Sequence, residues 1–313
     1  MTKGDEGRLV SIVIPVFNNQ GSLSITYERI HEMFMKRVDE LEFEIIFVND
    51  GSIDGSYAAL LDLRDKDPRV KVLSFTRNFG QMAAMLAGFS EARGDAVINV
   101  SADLQDPIEL MTEMLDRWKG GMEVVVGYRE GREDPLLTRI SSRLAYSLMR
   151  LSIPNMPPGG FDYVLMDRAV MDLFNSLDVR HRFFQGDLLW SGHRVSFIPY
   201  KRLKRQHGVS QYTFFKKLKN LLDALLDSSY LPIRFISLMG LLTSFGGLLY
   251  SLTVVVSWLY GGTPFSGFAP IMIAIMVVGG MIMTMLGILG EYLWRIYDEI
   301  RKKPNYIVRD RFF

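Results

Sequence analysis

Asp103, Gln105 and Asp106 follow a short apolar run, Ala96–Val100, in the stretch NVSADLQDP. Two carboxylates and an amide at the end of a buried strand form an oxygen-rich donor set with no base beside it. That set suits Mg²⁺ or Mn²⁺, which take one or two carboxylates and complete their shell with water and substrate phosphate. Asp103 and Gln105, two apart on an extended segment, point the same way and can share one ion. Asp106, just before Pro107, suits a helix N-cap. A turn whose Asp caps the next helix also explains the stretch, and these residues alone leave both readings open.

Other chemistries are excluded more firmly. The chain has no Cys, so disulfides, thiolate metal sites and cysteine nucleophiles are absent, and a reducing compartment is suggested. His31, His181, His193 and His207 show no metal-ligand spacing. No GxGxxG follows the first strand and no GxxxxGK[ST] occurs, which argues against a dinucleotide dehydrogenase and a P-loop NTPase. A net charge of +1 gives no basic field for nucleic acid.

The elements that must position the acidic stretch alternate in type. Strands are expected at Leu9–Val16, Phe43–Val48, Val70–Phe75, Ala96–Val100 and Val124–Tyr128. Helices are expected at Ser22–Val38 (Ser22 as N-cap), Asp54–Lys66, Gln81–Ala92 and Pro107–Trp118 (Pro107 in the first turn). Such alternation implies right-handed crossovers and a mostly parallel sheet, with ligands beyond the carboxyl ends of its strands. The polar punctuation falls at those ends: Pro15–Asn19, Asn49–Ser52, Ser101–Asp106 and Tyr128–Arg132.

The 313 residues suffice for one large domain and an appendage. Phe235–Leu259 and Phe268–Gly290 carry no charge, and each exceeds the ~20 residues that span a ~30 Å hydrocarbon core. Tyr230, Trp258, Tyr260, Tyr292 and Trp294 stand at their ends like an aromatic belt. Lys and Arg flank the pair outside, and the loop YGGTPFSG has none, so both ends and the catalytic part are expected in the cytoplasm. The stretch YTFFKKLKNLLDALLDSS has one apolar and one basic face, as an interfacial helix or a helix packed on the domain. The expected organisation is a catalytic domain over 1–210, a juxtamembrane helix over 211–232, two transmembrane helices within 233–295 and a cytoplasmic tail over 296–313. The polar N-terminus does not read as a signal peptide. Gly279, Gly280, Gly287 and Gly290 allow close helix packing, within the chain or in a homo-oligomer.

IVIPVFNN, IIFVNDGSIDGS, RNFGQMAAMLAGF, SADLQDP and RQHGVSQY, followed by two hydrophobic spans, resemble family 2 glycosyltransferases. The closer resemblance is to the polyisoprenyl-phosphate glycosyltransferases, such as dolichyl-phosphate mannose synthases and bacterial undecaprenyl-phosphate glucosyltransferases. It runs from about residue 9 to 305, in motif order. It implies an α/β GT-A domain, then an interfacial helix and two transmembrane helices, in a bacterial inner membrane. It also implies a nucleotide-sugar donor such as UDP-glucose and a lipid acceptor such as undecaprenyl phosphate.

Pro15, Phe17 and Asp50 match positions that cradle the nucleoside, with Asp50 accepting from the base; an Asx turn at Asp-Gly-Ser is the plainer alternative. Asp103 and Gln105 match the metal ligands, whereas Ser101 stands where a first Asp is frequent. Asn19 replaces a frequent Glu and Asn49 a frequent Asp. Arg205 and Ser210 match a segment that closes over the diphosphate, with Gln211 in place of a Lys. Asp162, after Gly159 and Gly160, matches an active-site Asp that acts as a base or orients a substrate. Arg182, Gln185 and Asp187 fall beside the donor sugar or in a capped helix.

A lipid phosphate monoester, with a second pKa near ~6, is largely dianionic at neutral pH and is already a nucleophile. The enzyme must therefore bring two anions together, which calls for a metal at the leaving diphosphate and Arg at the acceptor. Arg129, Arg139 and Arg143 are the candidates, the last two sharing a helix face, though each also fits a solvated surface. In-line attack at the anomeric carbon would invert configuration. A processive polysaccharide synthase and an inactive membrane-anchored sugar-nucleotide binding protein are the rival readings. The first lacks its Gln-x-x-Arg-Trp motif here, and the second rests only on Ser101 and Asn19.

Overall fold

The computed structural model describes residues 7–37, 41–130, 153, 156–157, 161–177, 183–201, 231–260 and 269–313. The chain divides into two units, Met1–Asn220 with Pro304–Phe313, and Leu221–Lys303.

In the first unit, β1 (Arg8–Val16), β2 (Leu41–Asn49), β3 (Val70–Phe75) and β4 (Ala96–Asn99) are apolar, β-branched runs. They are linked by α1 (Gln20–Met35), α2 (Ser56–Lys66) and α3 (Gln81–Glu91). Then follow α4 (Leu110–Lys119), β5 (Val124–Arg129), β6 (Tyr163–Asp167), α5 (Arg168–Ser176), α6 (Phe184–Trp190) and β7 (Val195–Tyr200). The last strand, β8 (Val308–Phe312), comes from the C-terminus.

These strands form one sheet in the order β7-β5-β6-β4-β1-β2-β3-β8. β1 pairs in parallel with β2 and β4, β2 with β3, and β5 with β7. β6 runs antiparallel to both β4 and β5, and β8 antiparallel to β3. Two apolar layers cover the faces. One centres on Ile12, Ile14, Leu23, Phe34, Ile45 and Phe47, the other on Val13, Ile46, Val48, Phe75, Phe89 and Val164.

This topology decides where the chemistry collects. β1, β2, β4, β5 and β7 all point their carboxyl ends to one edge of the sheet. β6 runs the other way, so its first residues reach that same edge. Asn99 is in register with Val164, and Arg129 with Tyr200. The edge thus gathers Asp50, Ser101–Asp106, Arg129, Asp162 and Tyr200, from five segments.

Three sequence expectations change. The first helix starts at Gln20 with Asn19 before it, and Ser22 is buried, donating to the Ala102 carbonyl at 2.6 Å. The fourth helix starts at Leu110 rather than Pro107 and has Glu109 at its N-cap. The C-terminal residues expected as a tail end in a strand of the first unit.

In the second unit, α7 (Leu231–Leu259) and α8 (Ala269–Ile300) contain Leu238–Ser257 and Ala274–Ile300, with mean hydropathy 1.7 and 1.8. Both helices are long and apolar enough to cross a membrane. Leu241, Leu248, Ile275, Met276 and Met283 are exposed along them.

Candidate active site

The turns after β1 and β2 are stitched together by short-range bonds. Asn18, with φ 54°, donates its backbone N–H to Ser52 Oγ at 3.1 Å and accepts from the Ile53 N–H at 3.0 Å. The Asn19 side-chain oxygen accepts from the Phe17 N–H at 3.1 Å, and its own N–H donates to Ser56 Oγ at 2.9 Å. The turns that follow β1 and β2 are therefore a single polar assembly next to Pro15.

Asn49 closes the turn after β2, its Oδ1 accepting from the Ser52 N–H three residues on at 3.1 Å, and the Asx turn of this region belongs to Asp54, whose Oδ1 accepts from the Ser56 N–H at 3.0 Å. Asp50 is 3% exposed and does something else. Its Oδ1 accepts from the Phe79 N–H at 2.6 Å and its Oδ2 from the Gly80 N–H at 2.9 Å. It pins the Arg77–Gly80 turn after β3. Gly51 needs its positive φ of +64°, and a Cβ there would sit 2.3 Å from the Arg77 carbonyl carbon. Burial pushes the Asp50 carboxyl above its ordinary value, against the two backbone N–H groups that hold it ionised. Arg77, exposed beside this turn, lies over the Phe79 ring at 4.3 Å.

The acidic stretch is a turn and not the extended segment expected. β4 ends at Asn99, Leu104 has φ 58°, and Asp103 Oδ1 accepts the Gln105 N–H at 3.2 Å. Burial nevertheless alternates along it. Ser101, Asp103 and Gln105 are partly exposed while Ala102, Leu104 and Asp106 are buried. Asp103 and Gln105 thus share the more open side.

Asp106, expected to cap a helix, is 3% exposed and turned inward. Its Oδ1 accepts from the Tyr200 hydroxyl at 2.6 Å and its Oδ2 from the Ser101 hydroxyl, which also reaches Asp103 Oδ1 at 3.0 Å. Burial and the Asp106 carboxylate push the Tyr200 phenol well above its ordinary value, so Tyr200 stays a donor. Tyr200 also accepts from Arg129 Nε at 3.4 Å.

Arg129 completes the group. Its Nη2 is 3.4 Å from Asp162 Oδ2, with the arginine side chain 14% exposed and the carboxylate 47%. Burial opposes the Arg129 charge most strongly of any single influence, but Asp162, Tyr200 and Asp106 together outweigh it and the pKa is raised, so the guanidinium is held charged in a half-buried place. Asp162 is positioned in turn. Its carbonyl accepts from Asn99 Nδ2 at 2.8 Å, and Gln185 Nε2 bonds the Phe161 carbonyl at 2.7 Å. Asn99 Oδ1 is buried and has no hydrogen-bond partner.

A chain of side chains therefore runs Asp103–Ser101–Asp106–Tyr200–Arg129–Asp162. It joins the acidic turn to the cation and carboxylate across the sheet edge. Arg139, Arg143, Arg182, Arg205 and Ser210 lie outside the described residues, as do Gly159, Gly160 and the amphipathic segment up to residue 230. Tyr200 and the inward role of Asp106 were not read from the sequence. The register of β5 with β7 brings Tyr200 beside Arg129, and no local pattern announces it.

Among the described residues, no three carboxylates or imidazoles stand together as a complete metal cage. The donors present still fit Mg²⁺ or Mn²⁺. A partly exposed carboxylate and an amide oxygen make a hard, oxygen-only set, and such ions draw their remaining ligands from water and substrate phosphates.

A mixed, mostly parallel sheet with helices on its faces and polar turns at its carboxyl ends is the architecture of the GT-A class. Residues 11–172 match the glycosyl transferase family 2 model. The chain belongs to that family and is a glycosyltransferase, similar over nearly its whole length to polyprenyl-phosphate glucosyltransferases. It is 34% identical to the SfII prophage-derived bactoprenol glucosyl transferase of Shigella flexneri, over 96% of this chain and 97% of that one. It is likewise 34% identical to the bactoprenol glucosyl transferase of Shigella phage SfV, over 96% and 98%. The glycosyltransferase YkcC of Bacillus subtilis is 35% identical over 96% and 94%. Among solved structures, mannosyl-3-phosphoglycerate synthase from Rubrobacter xylanophilus has a TM-score of 0.50 at 18% identity, covering 74% of this chain and 75% of that one. Glucosyl-3-phosphoglycerate synthase from Mycobacterium tuberculosis also scores 0.50, at 14% identity over 69% and 80%. These two similarities support the fold alone.

Proposed function

We propose that the protein transfers a hexosyl group from a nucleotide-diphosphate sugar such as UDP-glucose to a polyisoprenyl phosphate such as undecaprenyl phosphate, with its catalytic unit on the cytoplasmic side of a membrane crossed by α7 and α8. The observation that carries this reading is Arg129, held charged and half-buried at the strand-end edge beside Asp162. An acceptor that arrives as a phosphate dianion needs a cation more than it needs a base. The bactoprenol glucosyl transferases to which the chain is similar support the choice of acceptor.

On this reading a phosphate oxygen attacks the anomeric carbon as the bond to the diphosphate breaks. The electron pair leaves with the nucleotide, and configuration inverts. Arg129 orients and neutralises the acceptor phosphate. Asp162, already paired with Arg129, aims the guanidinium rather than removing a proton. The turns at Phe17–Asn19, Asp50 and Arg77 take the nucleoside side. Asp103 and Gln105 would hold a divalent cation that neutralises the leaving diphosphate. Arg139, Arg143, Arg205 and Ser210 are assigned to the phosphates by resemblance.

The test is transfer of radiolabelled glucose from UDP-glucose into organic-extractable lipid in membranes supplied with undecaprenyl phosphate. Transfer is expected, with a loss of about 10²-fold or more in Arg129→Ala. Transfer that persists in Arg129→Ala, or label that appears only in polymer or water-soluble product, would overturn the reading.

A further inference from the structure

The segment that follows α8 in the chain packs against the turn that Asp50 pins. Tyr306 stacks on Phe75 with ring centroids 5.1 Å apart and planes 14° from parallel. Phe75, 1% exposed, meets Phe79 edge-on at 5.7 Å. Arg77 covers the other part of Phe79. The backbone joins in, since the Thr76 N–H donates to the Ile307 carbonyl at 3.1 Å. The Arg77–Gly80 turn is therefore held from two sides, by the Asp50 carboxylate and by residues 306–307.

Beyond that contact the segment is anchored along its length. β8 pairs with β3 from Val72 to Phe75. Tyr57 donates to Asp310 Oδ2 at 2.9 Å, and Arg309 lies over the Tyr57 ring at 5.5 Å. Arg311 reaches Glu91 at 3.5 Å. Among the described residues the Tyr306 hydroxyl meets Ser90 Oγ at 3.3 Å. Its ring face reaches the turn only through Phe75, which meets Phe79.

We propose that Tyr306 is a positioning residue for the donor. Through Phe75 and Phe79 it fixes the Arg77–Gly80 turn, and so sets the affinity for the nucleotide sugar without touching the reacting atoms. The proposal rests on the reading above that this turn faces the nucleoside. An aromatic pair contributes beyond its buried area, and losing it corresponds to about a two- to tenfold change in an equilibrium.

The experiment uses the full-length protein in lipid nanodiscs, with UDP-glucose as donor and undecaprenyl phosphate as acceptor. Tyr306→Leu keeps apolar volume but loses the ring face, and Tyr306→Phe keeps the face and loses only the hydroxyl. Tyr306→Leu is expected to raise the donor KM about two- to tenfold with kcat held within about twofold, and Tyr306→Phe to stay at wild type. Amide exchange at Phe79 and Gly80, followed without any ligand, is expected to quicken several-fold in Tyr306→Leu alone. Unchanged donor KM, a fall in kcat at constant KM, unchanged exchange, or equal damage in Tyr306→Phe would each overturn the proposal. Asp50→Asn separates the two readings. If it leaves the donor KM unchanged while Tyr306→Leu still quickens exchange, the nucleoside assignment fails and the mechanical coupling stands.

Discussion

Tyr200→Phe removes one oxygen from the centre of the site's polar chain. The hydroxyl donates at 2.6 Å to Asp106 Oδ1, and Asp106 is 3% exposed. Ser101 serves the other oxygen of that carboxyl, so Oδ1 loses its hydroxyl donor and stays out of water. A buried acceptor left this way costs about 1–3 kcal/mol. For a unit of roughly 200 residues each kcal/mol moves Tm by about 2–4 °C, which gives a fall of about 2–12 °C. The second bond lost, from Arg129 Nε at 3.4 Å, is at the long end of hydrogen-bond range and contributes less. Sugar transfer should therefore fall by less than about tenfold, because Asp162 still holds the guanidinium. Differential scanning fluorimetry of the full-length protein and the lipid-transfer assay read the two effects separately. A double-mutant cycle with Asp106→Asn should show coupling of about 0.5–3 kcal/mol. An unchanged Tm with additive mutants would refute the claim that Tyr200 satisfies Asp106. A collapse of activity at unchanged Tm would mean that Tyr200 acts on substrate directly.

Four further outcomes follow from the same geometry. Asp162→Asn, which keeps shape but removes the charge facing Arg129, should lower transfer by about 10²-fold with the fold intact by circular dichroism. Asp103→Ala should abolish the response of donor binding to added Mg²⁺ or Mn²⁺, measured by calorimetry with UDP-glucose. Gly51→Ala forces a side chain into a φ of +64° and against the Arg77 backbone, and should lower stability by more than about 1 kcal/mol and weaken donor binding together. Glu44 gives a pH test. Burial alone would raise its carboxyl, but Lys71 at 2.5 Å, the Ser11 hydroxyl and the Arg93 N–H hold it below its ordinary 4.5. Its contribution is therefore present above pH 4.5 and is lost as pH falls through the lowered folded value. Glu44→Gln should flatten that acid limb in thermal melts while costing about 3–5 kcal/mol at neutral pH, because Lys71 is left buried and unpaired.

Where the sequence was legible, local chemistry and position agreed. β1 to β4 are short, largely apolar runs rich in Val, Ile and Phe and mostly buried, so their type and order can be read without a partner. The two long apolar helices announce themselves by length. What escaped is what depends on pairing. β6 is five residues, Tyr163–Asp167, directly continued by a helix, and its antiparallel course is set only by its neighbours β4 and β5. β8 reads as a charged tail because Arg309, Asp310 and Arg311 interrupt it. Such charges suit an edge strand, and here they are met by Glu91 and by the hydroxyl and ring of Tyr57. Asp106 reads as a cap because Asp before Pro is good capping chemistry. The helix begins later, and the carboxyl is drawn inward by a hydroxyl 94 residues away.

The same distinction bears on the mechanism. A sugar-hydroxyl acceptor would call for a carboxylate free to take a proton, and Asp162 by sequence alone suits that task as well as any other. In the structure its Oδ2 faces a half-buried arginine. A carboxylate so placed turns one oxygen toward the guanidinium, and the pair then acts as an oriented cation with a fixed direction. Behind that cation stands a neutral phenol that cannot ionise at working pH, and behind the phenol a carboxyl anchored by a serine. Each link restricts the rotation of the next. The arrangement is suited to meeting a ligand that brings its own negative charge and needs no proton removed. On the proposed function, it places the demand for chemistry on the acceptor phosphate and leaves the protein the work of alignment.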